Sequence, residues 1–278
     1  MLVGPLEKLN IAAVAAPWDG DSDWHSFDAI ILRSCWNYHK KPDQFRTWIE
    51  SLRQQKMTLW NPASVVLWNM DKLYLKSLED LGVTIIPTCW VDRTDNQISL
   101  KEILEINNWP EALIKPRIGA DSHDVWTTTL KDTPDHQQLF VERLGKHDLM
   151  VQPFIYEIRD GEWSFVFING EYSHAVLKGP ELGANFVQIE GDGSWAIAQP
   201  PSSFIEQSSK IISVAMSFLA VNKPFLYARV DGVPVNNQLL LMELELIEPE
   251  LFLSAVPSAA EKLASSIAQR LRMTPQPT

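Results

Sequence analysis

The sequence predicts an α/β protein with α+β subdomains, and three observations carry that prediction. Short apolar runs rich in β-branched and aromatic residues alternate with longer segments whose apolar residues recur at helical spacing. From about residue 149 onward, strand-like runs follow one another with connections too short for a helical crossover, so they must pair antiparallel. Hydrophobic residues make up 45% of the 278-residue chain, enough for a packed core, so disorder is not expected.

The elements follow in order. Leu2, Leu6 and Leu9 read as the tail of a helix and residues 11–16 as a strand after it. An open parallel sheet normally begins strand-then-helix, so the first strand and most of its helix are expected to be missing. Residues 29–32 form a second apolar run, followed by a helix over 42–55 that opens on Pro42 and repeats Phe45, Trp48, Ile49 and Leu52. A short strand at 58–60 ends at Asn61-Pro62. A helix starting near Asn69 carries Leu73, Leu75, Leu78 and Leu81 and stops at Gly82, before a strand over 83–86. The polar loop 92–98 marks a domain boundary, giving an N-terminal domain at 1–91.

A smaller unit spans 92–150. It holds a helix over 100–107, a strand over 112–115 stopped by Pro116, a polar loop over 117–124 and a helix over 134–144. The last unit, 151–278, continues the strand begun at 149 and adds strands over 163–168, 172–177 and 186–189. A helix over 204–219 precedes strands over 226–231 and 239–247, joined through Asn236-Asn237, and a helix over 259–271 closes the fold.

Several function classes are excluded or weakened. The net charge is −11, which argues against a nucleic-acid coat. Cys35 and Cys89 cannot build a zinc site or a disulfide framework; Cys35 could be a reactive thiol but is more commonly a packing residue. The six histidines are scattered, without HExxH, and GxSxG, GxxxxGK[ST] and GxGxxG are absent. The N-terminus lacks a basic segment with a long apolar core, and residues 11–16 are too short to span a membrane, so the expected location is cytoplasmic.

The chemistry concentrates in the last two strands. Alternation puts Leu226, Ala228 and Val230 on one face and Tyr227, Arg229 and Asp231 on the other. In the next strand Met242, Leu244 and Leu246 share the buried face, while Glu243 and Glu245 point the opposite way with Leu241 and Ile247. Two carboxylates at that spacing are roughly 6–7 Å apart at the backbone and can converge on hard cations, with Asp231 joining from the neighbouring strand. Alternation alone favours the plainer reading, a solvated face with two ordinary glutamates. Lys115 ends an apolar strand directly before a glycine-containing loop, where a lysine can reach phosphate oxygens; a surface lysine is the commoner case. Lys72 follows Asp71 near a helix start, and by itself is more commonly a solvated side chain.

The order of these features resembles the ATP-grasp superfamily of carboxylate–amine ligases. The matching runs are Asn69-Met70-Asp71-Lys72 with Leu81-Gly82-Val83 and Pro87-Thr88, then Leu113-Ile114-Lys115-Pro116, then Val151-Gln152-Pro153-Phe154-Ile155. Glu162 to Phe167 and Ser173 to Lys178 resemble the following hairpin, and Arg229-Val230-Asp231-Gly232 with Met242-Glu243-Leu244-Glu245 resemble the magnesium strands. The resemblance covers nearly the whole chain. It is nearest to the branch containing bacterial glutathione synthetase and the cyclo-ligase of D-cycloserine synthesis. It implies an ATP-grasp fold behind an open-sheet substrate domain, with ATP and two magnesium ions as cofactors, manganese being an alternative. Lys72 and Lys115 would contact the phosphates, and Gln152, Pro153, Phe154 and Ile155 would line the adenine pocket with Glu162 at its ribose or adenine edge. Asp231, Glu243 and Glu245 would hold magnesium. Arg229 would neutralise the transferring phosphoryl group, and Lys178 and Arg33 would face the acceptor. The implied partners are a small-molecule carboxylate and an amine, with no nucleic acid and no membrane, and a homodimer is allowed.

Three departures stand out. The loop after Lys115 is poor in glycine and begins with Arg117; Asn185-Phe186-Val187-Gln188 stands where the family has an arginine; and Glu245 replaces a common asparagine. Besides the ligase, the sequence allows an ATP-binding protein that lost turnover, and a metal-dependent hydrolase that leaves Lys72 and Lys115 without a role.

Overall fold

The computed structural model describes residues 1–95, 98–120, 124–179, 187–189 and 193–273. At the N-terminus, α1 (Val3–Glu7) buries Leu6 and ends through Asn10, whose φ of 58° turns the chain back so that the Ile11 N–H donates to the Leu6 carbonyl at 3.0 Å. The strand expected at 11–16 does not form: alanine, a poor strand former, fills four of its six positions, and Val14 is 68% exposed. β1 (Ile30–Ile31) lies parallel to β2 (Leu59–Trp60). Between them α2 (Pro42–Gln54) buries Phe45, Ile49 and Leu52 against Trp18, Ile30 and Leu59.

The helix expected from Asn69 starts only at Tyr74, because a separate helix that the spacing did not show occupies the residues up to Asn69. α3 (Ala63–Asn69) ends there, and α4 (Tyr74–Asp80) restarts after the Asp71 carboxylate accepts the Leu73 N–H at 2.9 Å. Lys72 therefore lies in the junction rather than in a first turn. Residues 83–86 form a single parallel bridge, Ile85 to Leu241, in place of a strand. The open N-terminal sheet has two strands among the described residues.

The second sheet combines β3 (Cys89–Val91), β4 (Glu111–Pro116), β5 (Trp126–Thr129) and β6 (Leu149–Pro153) in the antiparallel order β3-β6-β4-β5. Two helices cover one face: α5 (Leu100–Asn107), started by a capping box between Ser99 and Glu102, and α6 (Thr133–Leu144). Ala112, Ile114, Leu149 and Val151 pack against Leu100, Leu104 and Phe140 there. The opposite residues, Leu113, Lys115, Met150 and Gln152, must then face the other way. Met150 is fully buried in a core shared with Phe165 and Leu244, so this face looks across at the third sheet. β5 escaped the sequence reading because Thr127, Thr128 and Thr129 carry no apolar alternation.

The third sheet contains β7 (Glu162–Ile168), β8 (Glu171–Gly179), β9 (Val187–Ile189), β10 (Gly193–Ala198), β11 (Tyr227–Val235) and β12 (Gln238–Glu245). Their order is β12-β11-β7-β8-β10-β9, antiparallel throughout. β11 and β12 turn through Asn236 and Asn237 at φ of 50° and 61°, the left-handed pair that a two-residue type I′ hairpin requires. Both faces are covered. Phe165, Phe167, Ala228 and Val230 pack under α7 (Ser202–Phe218) and α4, whereas Val166, Ile168 and Tyr227 pack against α8 (Pro257–Met273).

β12 departs from simple alternation. Asp231 pairs with Glu243, but Gly232 pairs with Leu241, leaving Met242 as the extra residue of a bulge. Leu241 therefore turns into the core with Leu244 and Leu246, and Met242 becomes half-exposed, the reverse of the expected assignment. Among the described residues, no helix is long and apolar enough to cross a membrane.

Candidate functional site

Antiparallel pairing puts Arg229 opposite Glu245, and Asp231 opposite both Glu243 and, on the other side, Ser164. Residues directly opposite share a face, so one row of charge runs across β12, β11 and β7. The Arg229 guanidinium grips Asp231 through Nε (2.9 Å) and Nη2 (2.8 Å), contacts Glu245, and donates from Nη1 to the Glu250 carbonyl at 3.0 Å. Ser164 donates its hydroxyl to Asp231 at 2.6 Å. Lys178, opposite Glu162 in the β7–β8 pair, binds its carboxylate at 3.0 Å and stands 3.9 Å from Asp231.

The two phosphate candidates arrive from elsewhere. Lys72 is buried in the α3–α4 junction; its ammonium lies 3.1 Å from Glu243 and donates to the Gly119 carbonyl at 2.7 Å. Lys115 projects from the second sheet into the gap, within the electrostatic reach of Glu243, Lys72 and Glu162. It makes no hydrogen bond or ion pair among the described residues.

These surroundings set the charge states. Burial lowers the affinity of Lys115 for its proton. Burial acts on Asp231 in the opposite sense, but the Arg229 and Lys178 cations outweigh it and bring the carboxyl down to about 2. Burial dominates at Glu245, with Asp231, Glu243 and Glu248 adding to it against Arg229, and pushes that carboxyl up to about 8. Lys178 is likewise desolvated, yet Asp231, Glu162 and Glu245 hold its affinity for the proton above the ordinary lysine value.

The three expected metal ligands do share a face, but each carries a cationic partner, and among the described residues no group of three His, Cys, Asp or Glu side chains is gathered tightly enough to hold a metal ion. The donor set still suits a hard cation: Glu243 and Glu245 offer carboxylate oxygens at the open end of the sheet, while Asp231 is committed to Arg229 and Ser164.

The adenine candidates lie at the end of β6. The buried Gln152 amide donates to the Thr88 hydroxyl at 2.9 Å, so that side chain ties β6 to the segment before β3. Pro153, Phe154 and Ile155 are half-buried, with the Phe154 N–H donating to the Glu111 carbonyl at 3.0 Å. Arg33 lies over the Tyr227 ring at 5.5 Å and donates to the Pro249 carbonyl at 2.7 Å. Arg33 and Arg229 thus hold adjacent carbonyls of one loop. Asn185 and Phe186 lie outside the described residues.

Sequence reasoning missed the residues that hold this row in place. Asn61 donates to the Tyr227 and Leu246 carbonyls, both at 2.9 Å, and accepts the Leu226 N–H at 2.8 Å. Asn69 donates to the Leu244 carbonyl at 2.7 Å and accepts the Leu246 N–H at 2.8 Å, and Tyr74 accepts the Leu244 N–H at 2.9 Å. A polar residue amid an apolar run, as Asn69 is before Met70, was the available signal.

A helix-covered antiparallel sheet presenting a lysine across a gap to a larger antiparallel sheet, whose edge strand and its neighbour carry carboxylates and an arginine, is the ATP-grasp arrangement. The chain has the ATP-grasp fold and is similar to ATP-dependent ligases built on it. The family described as the D-cycloserine synthetase DcsG N-terminal domain matches residues 1–61. Over 283 residues the chain is 29% identical to the cycloserine biosynthesis protein DcsG of Streptomyces lavendulae, covering 98% of this chain and 93% of that protein. The crystal structure of D-cycloserine synthetase DcsG matches with a TM-score of 0.88 at 25% identity, over 97% of this chain and 93% of that one. D-Alanine–D-alanine ligase from Bacillus anthracis shares the fold at a TM-score of 0.71 and 15% identity, over 98% and 91% of the two chains.

Proposed function

We propose that the chain uses ATP and magnesium to activate a carboxylate as an acyl phosphate, which an amine then attacks to form a C–N bond. A carboxylate oxygen takes the terminal phosphoryl group and ADP leaves; the amine nitrogen then attacks the acyl carbon, loses a proton, and phosphate departs. The likeness to D-cycloserine synthetase favours closure within one small molecule over joining two. The observation that carries the reading is Lys115, a desolvated cation without an ion-pair or hydrogen-bond partner among the described residues, facing Lys72 and Glu243 across the gap between two sheets.

Lys115 and Lys72 bind the phosphates in this reading, and the half-buried run at 153–155 with Glu162 lines the nucleotide's other end. Glu243 and Glu245, with Asp231 behind them, are the donors for magnesium, which when bound supplies positive charge to the phosphate oxygens. To hold the cation, Glu243 would have to give up its ion pair with Lys72, which would leave Lys72 available to phosphate. Arg229 stabilises charge on the transferring group, and Lys178 and Arg33 face the acceptor, the substrate domain being residues 1–91. The lid segment 92–150 and the unit 151–278 enclose the nucleotide and exclude water from the acyl phosphate. The setting is cytoplasmic.

The test follows ADP release while amino acids, their derivatives and small peptides are supplied with magnesium and ATP. Substrate-dependent ADP release that disappears in Glu243→Ala supports the reading. ATP-dependent thermal stabilisation without ADP release on any substrate would assign the chain to the non-catalytic alternative, and no ATP binding at millimolar concentration would sink both.

A further inference from the structure

Lys72 and Lys115 belong to parts of the fold that no strand pairing connects: one lies between two helices, the other in a sheet built from later residues. Something must fix their separation if both are to meet one phosphate chain. Arg117, two residues past Lys115, is 8% exposed and binds the Lys72 segment through both its backbone and its side chain. Its carbonyl accepts the Lys72 N–H at 3.0 Å. Its guanidinium forks onto Asp71, Nε to Oδ1 at 2.9 Å and Nη2 to Oδ2 at 2.7 Å. Asp71 Oδ1 also takes the Leu73 N–H, so the backbone on both sides of Lys72 is held.

The opposite side of Arg117 is anchored in its own sheet. Its N–H donates to the Asp148 carbonyl at 2.9 Å, Nη1 binds Asp92 at 2.8 Å, and the Asp148 carboxylate lies 3.8 Å away. Three carboxylates from three separate segments thus converge on one planar cation. A lysine cannot reproduce the fork, because its ammonium is a point charge. Glycine at this position, as in the usual glycine-rich loop, would keep the two backbone hydrogen bonds but supply none of the contacts to Asp71, Asp92 and the Asp148 carboxylate.

We propose that Arg117 is a positioning residue that sets the separation of Lys72 and Lys115 and so tunes recognition of the triphosphate. The inference rests on the nucleotide reading above. Its experiment compares ATP and AMP binding to the full chain by calorimetry in wild type, Arg117→Met, Asp71→Asn, Asp92→Asn and Lys72→Met, and in the Arg117→Met/Lys72→Met double variant. Arg117→Met and Asp71→Asn should weaken ATP about tenfold or more while leaving AMP within about twofold, since a misplaced cation costs at the outer phosphates first. Asp92→Asn should weaken ATP less than Asp71→Asn does, because Asp92 holds the guanidinium through Nη1 alone and makes no contact with the Lys72 segment. In the double variant, the loss from Arg117→Met should vanish, because the residue acts through Lys72. Equal weakening of AMP and ATP, or a full additional loss in the double variant, would overturn the proposal in favour of a purely structural role. If Arg117→Met fails to fold, Asp71→Asn carries the same comparison. Wild type that binds neither nucleotide overturns the underlying reading, and this proposal with it.

Discussion

The side-chain amide of Asn69 straddles Glu245, donating to the carbonyl of the residue before it and accepting from the N–H of the residue after it. β12 is an edge strand of the six-stranded sheet, and an edge leaves alternate backbone groups without a partner. Asn69 and Tyr74 take the place of a further strand exactly where the candidate ligands sit. Replacing Asn69 by leucine leaves a buried carbonyl and a buried N–H unpaired. The expected cost is about 3 kcal/mol of stability, measured by urea unfolding. Asn69→Asp restores the acceptor but not the donor and should recover only part of it.

Lys115 should trade stability for binding. Its charge is desolvated and has no ion-pair partner among the described residues, so Lys115→Met is expected to raise the unfolding temperature while weakening ATP at least tenfold, about 1.4 kcal/mol. The folded state disfavours the charged lysine, so the cost is fully present below its lowered folded pKa. It disappears as pH rises past the unfolded value of 10.5. The stability gap between variant and wild type should therefore close in alkaline solution, as thermal melts across that range will show.

Glu245 gives the opposite pH signature. Its carboxyl rises from 4.5 to about 8 in the folded protein, so the folded state holds that proton where the unfolded state has lost it. Stability should fall as pH climbs from about 4.5 to about 8 and level off above, and Glu245→Gln should flatten that slope in melts without magnesium. Cation binding must displace the proton. Titration calorimetry should therefore find magnesium affinity increasing through the same window, with proton release on binding at neutral pH; a pH-independent affinity would remove Glu245 from the ligand set.

Gly232 is required by the bulge that aims Glu243. A Cβ there would lie 2.8 Å from the Leu240 carbonyl oxygen and 2.9 Å from Leu239 Cδ1, and the carbonyl belongs to the paired strand. Gly232→Ala must push β12 away or cancel the bulge, at a cost of about 1–3 kcal/mol. ADP release should fall further than the loss of folded protein accounts for, since Glu243 moves with the strand.

The charged face was legible because it depends on a local rule. Side chains alternate along a strand, so Arg229 with Asp231 and Glu243 with Glu245 had to share a side once their segments were extended. The Asn236-Asn237 hairpin was legible for a similar reason, because asparagine tolerates the left-handed turn. Residues 11–16 misled because an apolar run shows readiness to pair but cannot show that a neighbouring strand exists. The split between α3 and α4 turned on one Asp71 side chain capturing the Leu73 N–H, a contact that helical spacing does not report.

By itself, then, the sequence determined the antiparallel character of the C-terminal half, the composition of the charged row and the order of motifs that placed the chain among ATP-grasp proteins. Each follows from the chain's own stereochemistry over a few residues. Tertiary structure decided the rest: the Met242 bulge, the Asn61 and Asn69 contacts that secure β11 and β12, and the approach of Lys72 and Lys115 from different parts of the fold. The Asn61 and Asn69 contacts depend on backbone groups more than a hundred residues away finding their partners, as Asn69 finds Leu244 at a separation of 175 residues. No local pattern encodes that distance, because the driving force is the cost of leaving a buried N–H or carbonyl unpaired, which exists only once the chain has folded around it.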